Sequence, residues 1–163
     1  MSIEPKLIYS HSQNADRYQI FWEDVEGELN LSQMYWITSL EEGIPHTVPV
    51  IGVWHEGALY SCNPRREQKY KNLKANPVCQ ALIGSSQLNK GIDIAVHGHA
   101  EEMTEMVDRL RFAKQMATKY DEPWRFEGTE EDIWVYRVVP THIRVFHREN
   151  PLASARFDFE PKV

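Results

Sequence analysis

The sequence predicts an α+β domain: a mostly antiparallel sheet of six or seven strands with two or three flanking helices. Two observations carry this. Short runs rich in β-branched and aromatic residues follow one another in hairpin order, separated by turn residues. Between them lie segments whose apolar residues recur at helical spacing. At 163 residues the chain is one domain with room for a real core. No apolar run approaches the roughly 20 residues that span a bilayer. The N-terminus lacks the charged-then-apolar layout of a secretory signal. A soluble, cytoplasmic protein without a membrane partner is the expectation.

The elements follow in order. Residues 14–27 read as a first helix, with Tyr18, Phe21, Trp22 and Val25 as its buried stripe and Gly27 as its stop. Residues 31–40 alternate as a strand, and Glu41, Glu42 and Gly43 make a hairpin turn. The run 46–54 is β-branched and apolar enough to be buried on both faces. Pro49 within it cannot donate a ladder hydrogen bond, so it belongs on an edge or at a bulge. His55, Glu56 and Gly57 then turn the chain into a strand over 58–62.

A helix is expected over 64–75, with Asn63 as N-cap, Pro64 as first helical residue and Asn76-Pro77 as stop. Strands over 78–83 and 92–102 flank a polar loop. Thr104 caps a long amphipathic helix whose inner face carries Val107, Leu110, Ala113, Ala117 and Tyr120. Strands over 134–139 and 142–146 are broken at Pro140-Thr141, and 154–159 is a short extended tail. From the residues alone, an open sheet and a closed barrel fit this order equally.

The net charge of −6 argues against a nucleic-acid partner. One segment runs against it: Arg65, Arg66, Lys69, Lys71 and Lys74 oppose only Glu67. Cations in the first turns of a helix oppose its dipole. The arrangement makes sense when a phosphate sits on the helix N-terminus; a solvated basic face is the other reading. His97 and His99 point to one strand face, but no third group at ligand spacing accompanies them, so no metal is expected. Two cysteines, Cys62 and Cys79, do not make a disulfide framework. The chain has no nucleophile elbow, Walker loop or GxGxxG.

The segments PHTVPV (45–50), GALYSC (57–62) and QKYKNLKANP (68–77) are followed by GIDIAVHGHAEEMTE, VYRVVPTHIRVF and ARFDF. In this order and spacing they resemble the FMN-binding split-barrel superfamily of pyridoxamine phosphate oxidase, over roughly residues 33–159. The likeness is closer to the general-stress members than to the oxidase itself. The tryptophan- and glycine-rich substrate segment of the oxidase and its Arg-Leu-rich extension have no counterpart. The resemblance implies a six- or seven-stranded split β-barrel that dimerises with itself and holds FMN at the subunit interface. It implies hydride or electron transfer through the flavin to a small-molecule redox substrate, with NAD(P)H as candidate donor and no dedicated catalytic residue.

By position the resemblance also assigns residues. Thr47, Val48, Pro49 and Val50 would line the isoalloxazine through their main chain. Ser61 would meet the phosphate or ring edge, and Cys62, a free thiol on the same strand, would also lie at the cofactor. Lys69 would bind the phosphate, helped by Arg65 or Arg66, because Gln68 stands where the family often has arginine. Arg156 and Phe157 would reach the cofactor from the other subunit. The same fold admits a deazaflavin-dependent reductase, a non-catalytic flavin or haem binder using His46, His142 or His147, and a cofactor-free dimerisation module.

Overall fold

The computed structural model describes residues 5–12, 19–149 and 152–160. In chain order the elements are β1 (Lys6–Ser12), α1 (Trp22–Leu31), β2 (Tyr35–Glu41), β3 (Ile44–Val50), β4 (Val53–His55) and β5 (Ala58–Pro64). There follow α2 (Gln68–Ala75), β6 (Val78–Ile83), β7 (Ile92–Glu102), α3 (Met106–Lys119), β8 (Ile133–His147) and β9 (Ala153–Asp158). The strands run β1-β9-β8-β7-β6-β2-β3, with β5 added on β8 and β4 on β5. Every pairing is antiparallel.

β8 serves three neighbours. Its first half pairs with β5, its second half with β9, and β7 follows it along its length. At the far end of the order β3 pairs only with β2. In β5 the residues beyond Tyr60 pair only with β8. The curled sheet is therefore open between β3 and the end of β5, as a split barrel is.

Local chemistry sets the turns. Glu42 and Gly43 have φ of 51° and 85°, and Glu56 and Gly57 have 47° and 75°. Positive φ at both central residues is the twist that tight hairpins require. The expected break at Pro140-Thr141 is a bulge inside one continuous strand, where the register of β7 against β8 shifts between His97 and Gly98. Gly98 has no room for a side chain: a Cβ there would sit 2.0 Å from the Val139 carbonyl oxygen.

Two apolar layers hold the sheet. Inside the barrel, Trp134 stacks on Tyr136 and meets the Tyr70 ring edge-on, in one core cluster with Tyr35, Ile37 and Leu29. α1 closes one end, with the Trp22 ring against those of Trp54, Phe157 and Phe159. Outside, α3 lays Phe112, Ala113 and Met116 over Ala58, Tyr60 and Val135.

Several sequence expectations need correction. α1 continues past Gly27 to Leu31. A helical glycine costs about 1 kcal/mol, less than the roughly 2 kcal/mol from burying Leu29. Residues 14–18 of the expected helix lie outside the described residues. α2 begins at Gln68, because Asn63 and Pro64 continue β5 opposite Trp134 and Ile133 and Glu67 takes the N-cap position. The buried face of α3 is Arg109, Phe112, Ala113 and Met116, while Val107 and Leu110 are exposed. The larger Phe112 and Met116 win that choice. β3 is an exposed edge strand rather than one buried on both faces, and the edge reading of Pro49 stands.

Gly98→Ala should destabilise the protein by about 2 kcal/mol or more through overpacking at the bulge. Urea unfolding would check this; a change under about 0.5 kcal/mol would mean that β7 and β8 slide apart freely.

Candidate functional site

The split holds a cavity of about 380 Å³. Pro49 and Val50 of β3 form one wall, and Cys62, Asn63 and Pro64 of β5 the other. Ile51 lies at the corner between them, Glu67 and Lys69 at the start of α2, and Met34 and Trp124 also line it. Apart from Asn63, Glu67 and Lys69 this lining is apolar.

The corner is tightly fixed. Ser61, fully buried, donates its hydroxyl to the Ile51 carbonyl at 2.8 Å. The next residue, Gly52, donates its N–H to the Tyr120 hydroxyl at 3.0 Å. Its carbonyl accepts from Lys119 Nζ at 3.0 Å, and the same ammonium donates to the Tyr35 hydroxyl at 3.1 Å. A Cβ on Gly52 would stand 2.5 Å from the Tyr60 carbonyl oxygen, so only glycine fits. Burial lowers the Lys119 ammonium to about 8.

Lys69 is 6% exposed and forms an ion pair with the half-exposed Glu67 carboxylate. The structure thus separates it from the other cations of its segment. Arg65 turns away to Glu102 at 2.9 Å and to the Tyr70 hydroxyl at 3.1 Å. Lys74 joins the same Glu102 at 3.0 Å. Arg66 is exposed in the turn before α2. Gln68 bonds Asn72 at 2.9 Å, and Asn72 in turn bonds Ser39 of β2 at 3.1 Å. Lys69 is the one cation of that segment that lines the cavity.

Two further groups matter. Burial pushes the Cys62 thiol up to about 12, so it is a neutral wall group rather than a nucleophile. Asn63 donates its amide to the Pro64 carbonyl at 2.9 Å, which fixes which end is oxygen. That buried Oδ1 has no partner among the described residues. A buried acceptor left unmatched is costly.

Of the sequence-predicted site residues, Pro49, Val50, Cys62 and Lys69 meet at the cavity, and Ser61 supports its corner. Thr47 faces Thr38 across the β2–β3 ladder, with their hydroxyls 2.9 Å apart, and Val48 lies opposite Ile37. Arg65, Arg66, Gln68, Arg156 and Phe157 do not line it. Arg156 pairs with Asp158 at 2.6 Å, while the Phe157 ring is in its own core, 5.4 Å from Trp22. His97 stacks on His142 with ring centres 4.5 Å apart, and no cluster of metal-ligating groups forms among the described residues. Sequence reasoning missed Met34, Ile51 and Trp124 as lining residues and took Asn63 for a helix cap. The loop position of Trp124 left no periodic signal to read.

No protein-family model and no curated protein matches the sequence. Solved structures do. A Listeria innocua protein provisionally assigned as a pyridoxamine 5'-phosphate oxidase aligns over 76% of this chain and 95% of its own, with 18% identity and a TM-score of 0.64. General stress protein 26 of Bacillus anthracis aligns over 82% and 98%, at 15% identity and 0.63. An FAD-binding protein of Mesorhizobium loti aligns over 92% and 99%, at 15% identity and 0.61. An F420 reductase, at 21% identity and TM-score 0.59, and the haem storage protein HutZ of Vibrio cholerae, at 12% and 0.63, share the architecture. The chain shares the split-barrel fold of these structures.

Lys119 gives a pH test of the corner. Its folded pKa lies below that of a free lysine, so from about pH 8 to about 10.5 the unfolded chain holds a proton that the folded chain releases. Stability of the wild type should therefore rise with pH across that window relative to Lys119→Met. Urea midpoints of both proteins at each end of the window check this, and parallel midpoints would show that the ammonium is fully solvated.

Proposed function

We propose that the chain is an FMN-binding oxidoreductase, a homodimer that moves hydride or electrons between a small-molecule donor and acceptor. The observation that carries this is the buried Lys69 at the mouth of an apolar split. An ammonium removed from water is costly unless it is paired, and its present partner, Glu67, is a half-exposed side chain. A phosphate there would replace that carboxylate and gain the N-terminus of α2 as well.

In this reading the flavin supplies the redox chemistry, and the protein binds, orients and keeps water from it. Lys69 anchors the phosphate. The apolar walls from Pro49, Val50 and Ile51 on one side and Cys62 on the other exclude solvent, and the Ser61–Ile51 and Tyr120–Gly52 bonds keep the two walls at fixed spacing. The single buried cation favours FMN over cofactors with longer anionic tails, such as FAD or a deazaflavin coenzyme. None of His46, His142 and His147 lines this cavity, so no observation favours the haem reading here.

Self-association has its own support. Trp36 and Leu82 lie directly across from each other on the outer face of β2 and β6, 44% and 36% exposed, and Phe146 of β8 is 45% exposed on the same face. An apolar sheet face left to solvent marks an interaction surface.

Freshly purified protein should show the two-banded flavin absorbance, or take up added FMN. Lys69→Ala should weaken FMN binding at least about tenfold while leaving riboflavin, which lacks the phosphate, within about threefold. Its apo melting temperature should barely move. Equal losses for both ligands, or none, would place the phosphate elsewhere. A protein that takes up no flavin at all would end the oxidoreductase reading.

A further inference from the structure

We propose a second ligand site, separate from the Lys69 cavity, for small uncharged molecules with an apolar body and one hydroxyl or carbonyl group. It is a pocket of about 560 Å³ on the outer face of β5, β7 and β8, where α3 no longer covers the sheet. Strand β5 serves both sites: Ala58 and Tyr60 line this one, Cys62 and Asn63 the other. The size falls in the range of small-molecule sites, which pair an apolar lining with a few converging polar groups.

The floor has both. Ala58, Val139, Pro140 and Phe159 supply apolar surface. Between them runs a continuous polar chain. His99 Nε2 lies 3.1 Å from Glu101 Oε1. Arg137 donates to Glu101 Oε2 through Nε at 3.0 Å and Nη2 at 2.8 Å. Tyr60 lies directly across the β5–β8 ladder from Arg137.

The chemistry of the occupant follows from how this chain is paired. The guanidinium already faces a carboxylate, so it offers no net charge to an anion. Glu56 and Glu160 at the rim are both exposed. Their own charge is solvated and screened, which gives a cation little. What remains is an apolar floor with hydrogen-bonding imidazole and phenol groups at one side. A neutral, largely apolar molecule with one polar end matches it.

The test uses the full chain and three probes of one shape class: p-cresol, p-toluate and benzylammonium. Amide chemical shifts would report where each binds. The wild type should bind p-cresol with shifts at Gly57, Ala58, Val139 and Thr141, and at least about tenfold more tightly than either charged probe. Val139→Trp fills the floor from a half-exposed position and should abolish that binding, with an unchanged far-ultraviolet spectrum showing that the fold survives. Glu101→Gln keeps the side-chain shape but frees the guanidinium. It should raise p-toluate affinity about tenfold while moving p-cresol less than about threefold. The proposal fails if no p-cresol shifts appear at the pocket, if a charged probe binds the wild type as tightly, or if Val139→Trp leaves binding intact. None of these readouts depends on a flavin.

Discussion

β8 must satisfy three strands at once, and most of the architecture follows from how it does so. One strand has only two hydrogen-bonding edges. β7 takes one along nearly its whole length, so β5 and β9 must share the other end to end. That division turns the chain through a corner at Pro140-Thr141, and the bulge opposite Gly98 absorbs the extra residue. The corner swings β5 away from the plane of β9 and leaves the end of β5 short of a partner. The split, and the cavity in it, are the geometric remainder of that arrangement.

The cavity then acquires its character from very few side chains. A lysine inside an apolar cleft is tolerable only with a countercharge, and Glu67 supplies one two residues away in sequence. The pairing is short-range and easily exchanged, unlike the Arg65–Glu102–Lys74 group, which ties the turn before α2 to the end of β7. The segment that looks uniformly basic in sequence thus has two jobs. Arg65 and Lys74 hold the helix against the sheet, and Lys69 faces the split.

Much of the fold was legible because strand and turn signals are local. Val78–Ile83 and Ile92–Glu102 fall where composition puts them, and the Glu42-Gly43 and Glu56-Gly57 turns are written in their residues. What was not legible depends on tertiary choice. Nothing in Asn63-Pro64 distinguishes a helix cap from the end of a strand until β8 is there to pair with it. Nor does the sequence of α3 show that Arg109 goes inward: its guanidinium gathers the carbonyls of Gly128, Glu130 and Ile133, a loop that exists only after folding. At the cavity, Lys69 was picked out by the family resemblance. Trp124 was not, because it arrives on a loop whose path is set by that same arginine clamp.

β3 contains two prolines four residues apart, with Thr47 midway between them. Peptide groups alternate sides along a strand, so Pro45, Thr47 and Pro49 present theirs in one direction, and prolines are tolerated where no ladder bond is required. The free lip of the barrel is therefore rich in carbonyl oxygens and nearly devoid of N–H groups. A strand from another molecule finds no regular pattern to zip onto, so this long open border resists fibre-like growth. The same border favours guests that bring their own hydrogen-bond donors.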